Sequence, residues 1–175
     1  MRAALKTNWA GAAAAALALT LAASAAVAAK PRPADDLAWA AGLVAPIAET
    51  LEVMYAGRQS GQNSYCIFRV AAKPPFYAQC LAGPGEPNVF CETVSAQSYP
   101  GIAKTLTPAR QAALQALGFK PPGEDSSNHH QEIVLDRQER FKAVARLLLR
   151  AMHEGYGYRG KPSIRHFCAS PPPVS

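Results

Sequence analysis

Four cysteines, four histidines and one run of spaced basic residues are the side chains here whose types and spacing suit chemistry. Cys66, Cys80, Cys91 and Cys168 form an even set, which reads first as two disulfides. Zinc is the competing use, and it fits less well because no two of them stand as C-x-x-C. His129, His130, His153 and His166 could gather a metal. Neighbouring residues in a strand point to opposite faces, however, so His129 and His130 do not easily ligate together there. Lys142, Arg146 and Arg150 recur every four residues, which on a helix makes either a solvated face or a basic ridge for an acidic partner. Serine, histidine and aspartate are present, but no G-x-S-x-G elbow and no glycine-rich phosphate loop occurs. No catalytic set, no resident metal and no cofactor are therefore expected.

The N-terminus sets the compartment. Arg2 and Lys6 precede an apolar run from Ala10 to Ala23, and Val27-Ala28-Ala29 offers small residues before Lys30. This is the pattern of a secretory signal over residues 1–29. The run is short and mostly alanine, which disfavours a membrane anchor. No cysteine stands at the cut to carry a lipid. Cleavage would leave 146 residues with 16 basic and 12 acidic side chains, a net charge near +4. That length suits one domain with its own core, expected over residues 30–160. A periplasmic or secreted chain of this mild charge suits anionic envelope surfaces; it is not expected to bind nucleic acid or to insert in the membrane after cleavage.

The positioning elements follow from periodicity. Leu37, Val44, Ile47, Leu51 and Met54 share one face of a helix from Asp35 or Asp36 to about Ala56, with a kink or a division into two pieces expected at Pro46. Tyr65–Val70, Phe76–Leu81 and Asn88–Val94 read as strands of an antiparallel meander. The helix from Pro108 has both ends written in: Thr107 can cap it, Pro108 suits its first position, and Gly118 can close it so that Phe119 touches Leu114. Arg110 and Gln111 are expected to face water. His129–Asp136 supplies a later strand. A last helix, capped by Asp136 with Glu139, runs to about Met152 and buries Phe141, Val144, Ala145, Leu148 and Met152. Residues 161–175 read as a proline-rich tail tethered by Cys168. The fold class is α+β.

Turn symmetry places Cys66, Cys80 and Cys91 in one row across three strands. A Cys66–Cys91 bridge would have to span a whole strand, roughly 9–10 Å. Cys80–Cys91 with Cys66–Cys168 is favoured; Cys66–Cys80 with Cys91–Cys168 is the alternative.

Residues from Tyr77 to about Tyr156 resemble the type III secretion chaperone-like family labelled TY-Chap, related to the YbjN-type proteins. Three pieces carry the resemblance in order: Cys91-Glu92-Thr93-Val94-Ser95, then Leu106-Thr107-Pro108 through Leu117-Gly118-Phe119 with Pro121, then Asn128 followed by a strand and a long helix. The resemblance implies a twisted antiparallel sheet packed by helices, no catalytic residues, and a partner that is another protein or an extended polypeptide segment. A homodimer is also compatible with it. The expected function is thus an exported, disulfide-stapled protein-binding module, with Lys142, Arg146 and Arg150 as its candidate partner site. A cationic protein adhering to envelope polymers, and a histidine-based metal enzyme, are the alternatives.

Overall fold

The computed structural model describes residues 34–58, 63–135 and 139–169. The expected signal segment, the Asp136 cap and the end of the tail lie outside these residues. Five strands form one antiparallel sheet: β1 (Ser64–Val70), β2 (Phe76–Ala82), β3 (Asn88–Thr93), β4 (His129–Val134) and β5 (Ile164–Ala169), in the order β4-β3-β2-β1-β5. Helices α1 (Ala41–Gly57), α2 (Pro108–Ala116) and α3 (Glu139–Tyr156) complete an α+β fold. The meander strands fall within a residue or so of their expected bounds. The fifth strand is new: the segment expected as a tethered tail pairs with β1 from Tyr65 to Val70.

Period-two burial explains the layers. Cys66, Phe68 and Val70 on β1, and Ala78, Cys80 and Ala82 on β2, point to one face and are fully buried. Leu51 and Met54 of α1 and Leu148, Leu149 and Met152 of α3 cover that face. Alternate residues point the other way, where none of the described helices packs.

The N-terminal helix is divided near Leu37 rather than at Pro46. A 3₁₀ turn, Ala34–Ala40, with a non-helical residue at Leu37, precedes α1, and α1 runs through Pro46 unbroken. The bond that Pro46 cannot donate would have gone to Gly42, an exposed residue whose carbonyl can turn to water. Packing of Ile47, Ala48, Leu51 and Met54 then holds the helix together. Leu37–Gly57 has a mean hydropathy of 1.4 over its most apolar window and is long enough to cross a membrane by that measure.

Helix α2 ends as its sequence dictates. Thr107 Oγ1 accepts from Arg110 N at 3.4 Å. Phe119 N donates to Leu114 O at 3.1 Å and Gly118 N to Gln115 O at 2.9 Å, the paired bonds of a Schellman motif. Gly118 has φ +95, and a Cβ there would sit 2.8 Å from Gln131 Oε1. Arg110 and Gln111 do not simply face water: their side chains donate to the carbonyls of Thr105 and Leu106 and hold the preceding loop. Helix α3 runs four residues past Met152, to Tyr156. Gly155 tolerates a helical site because Leu114 of α2 packs where its Cβ would be, 3.0 Å away.

The four cysteines form a single row across β5, β1, β2 and β3: Cys168 opposite Cys66, Cys66 opposite Cys80, Cys80 opposite Cys91. The bonds are Cys66–Cys168 and Cys80–Cys91, each with Cα atoms 4.1 Å apart. That spacing marks the narrow, non-hydrogen-bonded pairs of an antiparallel ladder, where side chains approach most closely. Pairs alternate along a row, so Cys66 opposite Cys80 is the wider type. The ladder itself thereby separates the two possible pairings.

Candidate functional site

The face of the sheet turned away from the helices carries the candidate site. Its side chains are Tyr65, Ile67 and Arg69 from β1, Tyr77, Gln79 and Leu81 from β2, Phe90 and Glu92 from β3, and Arg165 and Phe167 from β5. Several are large, apolar and uncovered: Phe167 is 60% exposed and Leu81 39%. Phe167 lies opposite Ile67, and its ring centroid is 6.2 Å from that of Tyr65. A recess of about 790 Å³ opens on this face. Ile67, Tyr77, Tyr99 and Phe167 give it apolar walls, and Arg69 and Arg165 stand at its side.

Tyr99 comes from the loop after β3, and a hydrogen-bonded cluster holds that loop. Ser95 Oγ accepts from Gln97 N at 3.0 Å and Ser98 N at 3.2 Å, which closes a tight turn. Asn128 Oδ1 accepts from Ser95 N at 3.2 Å and also from the Ser98 hydroxyl. Asn128 Nδ2 donates to the Tyr77 hydroxyl at 3.2 Å, so the same side chain steadies the wall of the recess. Deeper in, the Tyr156 hydroxyl donates to Val94 O, with Thr93 Oγ1 2.8 Å away. Burial, only partly offset by the Thr93 bond, raises the Tyr156 phenol well above its ordinary pKa. It stays a neutral donor. Its ring stacks on Phe76 at 4.9 Å.

The fold scatters the residues whose type and spacing suggested chemistry. Lys142, Arg146 and Arg150 are exposed on α3, in the helical layer on the far side of the sheet from the recess. Arg150 is engaged there by Glu154, with Nη2 2.9 Å from the carboxylate. The histidines are not brought together. His129 points into the core opposite Thr93, and burial, with His130 beside it, lowers its pKa. His130 points to the open face, stacks on Phe90 at 5.4 Å and lies 3.2 Å from Asn128 O through Nδ1. His153 Nδ1 lies 2.7 Å from Tyr158 O. His166 is on β5 near the recess. Among the described residues no cluster of three or more His, Cys, Asp or Glu could hold a metal ion.

Arg69, Arg165, Phe167 and Tyr99 escaped the reading of the sequence. A signal for three of them was present. Once Cys168 is set antiparallel against Cys66, Phe167 falls opposite Ile67 and Arg165 opposite Arg69.

The family model TY-Chap3, described as T3SS (YopN, CesT) and YbjN peptide-binding chaperone 3, matches residues 36–163, well over half of the chain. The chain belongs to the TY-Chap3 family. No curated protein and no solved structure matches it. The match reaches beyond the Tyr77–Tyr156 resemblance at both ends and takes in α1, β1 and the approach to β5. The motif residues of this TY-Chap3 chain now have physical roles. Ser95 and Asn128 hold the loop beside the recess. Leu114, Gly118 and Phe119 close α2, and Leu114 packs it against Gly155 of α3. Glu92 is held by Gln79 and Ser126 on the open face.

Proposed function

We propose that this protein is an exported, non-enzymatic module that holds an extended peptide against the open face and free edge of its sheet. The observation that carries the reading is the uncovered apolar face with its recess, continuous with the edge strand β5. The other edge is not equally free. Lys120 exchanges backbone bonds of 2.7 and 3.1 Å with His130 of β4. On β5 the narrow Cys66–Cys168 pair turns the backbone groups of Ile164, His166 and Cys168 outward, and these have no strand partner among the described residues. A peptide added there gains a ladder of backbone bonds, and its alternate side chains fall on the open face. The family description, a peptide-binding chaperone, points the same way. Export rests on the pattern of residues 1–29, and periplasmic or secreted location follows from it.

The test uses a labelled unfolded chain, reduced carboxymethylated lactalbumin, titrated with the purified full chain and read by fluorescence anisotropy. F167D/L81D should weaken binding at least tenfold with unchanged circular dichroism. Binding lost instead in K142Q/R146Q, and retained in F167D/L81D, would overturn the assignment and move the site to α3. Export is tested by N-terminal sequencing of protein recovered from the envelope. A start at Lys30 is expected, and a start at Met1 refutes it.

A further inference from the structure

Arg69 and Arg165 are directly opposite each other on β1 and β5, both exposed, both on the open face and both lining the recess. Like charges in directly opposed positions work against pairing of the two strands. The usual remedy is an acidic neighbour, and neither arginine has one among the described residues. No residue lining the recess is acidic. The nearest acid on the interior rows of this face, Glu92, is two strands from β1 and is already engaged by Gln79 and Ser126. Two guanidinium forks thus share a wall with the exposed ring of Phe167 and the side chain of Ile67.

We infer that this arginine pair reads a carboxylate on the bound peptide, and that the ligand is an acidic–apolar segment rather than any unfolded chain. The inference rests on the peptide-binding reading above and specifies its ligand. An added strand beside β5 places its residues against Arg165 and Phe167 two positions apart and on one face. A carboxylate against Arg165 comes within reach of Arg69 in the next strand, since strands lie about 4.8 Å apart and arginine side chains are long and forked. The residue two positions away meets Phe167 and Ile67. The recognised unit is therefore an acid and a large apolar residue separated by one residue. It runs apolar–x–acid if the peptide is antiparallel to β5, and acid–x–apolar if parallel. The carboxylate comes either from an aspartate or glutamate side chain or from the C-terminus of the peptide.

The experiment titrates the full oxidised chain with fluorescein-labelled ten-residue peptides, acetylated and amidated. They carry Phe-Ser-Asp or Asp-Ser-Phe at the centre, and each has an Asn-for-Asp isostere. A third pair, Phe-Ser-Asn at a free or amidated C-terminus, reports on the terminal carboxylate. At least one carboxylate peptide should bind about tenfold more tightly than its neutral partner, the size expected of one charge-assisted hydrogen bond. The advantage should disappear in R69Q/R165Q and return in part in R69K/R165K, which keeps the charge and loses the fork. An advantage confined to the free C-terminus assigns the site to terminal carboxylates. Neutral peptides that bind as well as acidic ones would overturn the inference and leave the open-face reading standing. If no peptide binds while reduced carboxymethylated lactalbumin does, the inference falls and the open-face reading stands; if neither binds, both fall. An advantage undiminished in R69Q/R165Q, with circular dichroism unchanged, would also overturn it.

Discussion

Breaking the Cys66–Cys168 bond should cost this protein more than breaking Cys80–Cys91, and the sizes follow from where the bonds lie in the chain. Cys66 and Cys168 are 102 residues apart, and Cys80 and Cys91 are 11 apart. Loop-closure entropy gives about 4.7 kcal/mol for a loop of the first size and about 2.8 kcal/mol for the second. The difference, about 2 kcal/mol, is the quantity to measure. Both bonds join strands that remain paired through backbone bonds, so removing the sulfurs acts mainly on the unfolded chain. The long bridge has a local consequence as well, because it pins β5, which is an edge strand with an exposed outer face. The assay is urea unfolding of the wild type, C66A/C168A and C80A/C91A, with a thermal melt beside it. The first variant should lose about 15–20 °C in melting temperature and the second about 10 °C, taking roughly 4 °C per kcal/mol for a domain of this size. A non-reduced digest should show the peptide bearing Cys66 linked to the peptide bearing Cys168. A Cys66–Cys80 link would refute the ladder argument. Equal losses in the two variants, or a larger loss in C80A/C91A, would refute the loop reasoning.

Two further outcomes follow from buried polar groups. Y156F keeps the ring on Phe76 but leaves Val94 O without its donor, at a cost of about 2 kcal/mol. Urea unfolding reads that loss, and an unchanged midpoint would show that the hydroxyl contributes nothing. Acid should destabilise the fold through His129. Its folded pKa is lowered, so the unfolded chain binds the proton more readily, and stability falls as pH drops below the unfolded value of about 6.5. Melting temperatures between pH 8 and pH 5.5 should fall for the wild type and fall less for H129Q. Parallel pH profiles for the two would exclude His129 as the cause. Together with the lactalbumin and short-peptide titrations, these measurements cover the staple, the core and the open face.

Much of the fold is legible in local residue patterns. The α2 helix is written from cap to stop in Thr107, Pro108 and Gly118, because caps, prolines and left-handed glycines act on their immediate neighbours. The meander follows from alternation and turn residues, and its register follows once the turns are short. The α3 stripe follows from spacing alone. Where local rules failed, tertiary contacts outweighed them. Pro46 does not break α1, because the packed face C-terminal to it holds the helix. α3 runs on past Met152 to Tyr156, and Gly155 within it leaves the space that Leu114 of α2 fills. Arg110 and Gln111 bond back to loop carbonyls that no periodicity reveals.

The site divides along the same line. The sequence by itself determined that alternate residues of each strand face opposite ways, that Cys66, Cys80 and Cys91 belong in one row, and that a chaperone-like α+β domain results. Only the tertiary structure decided which face stays uncovered, because that depends on where α1 and α3 pack. It alone turned the chain beyond Lys161 into β5, since an edge strand is specified by its partner rather than by its own residues. It alone set Arg165 opposite Arg69, 96 residues away in sequence. β5 lies directly beside β1, and the Cys66–Cys168 bond fixes their register, a partner for Cys66 that the sequence left open.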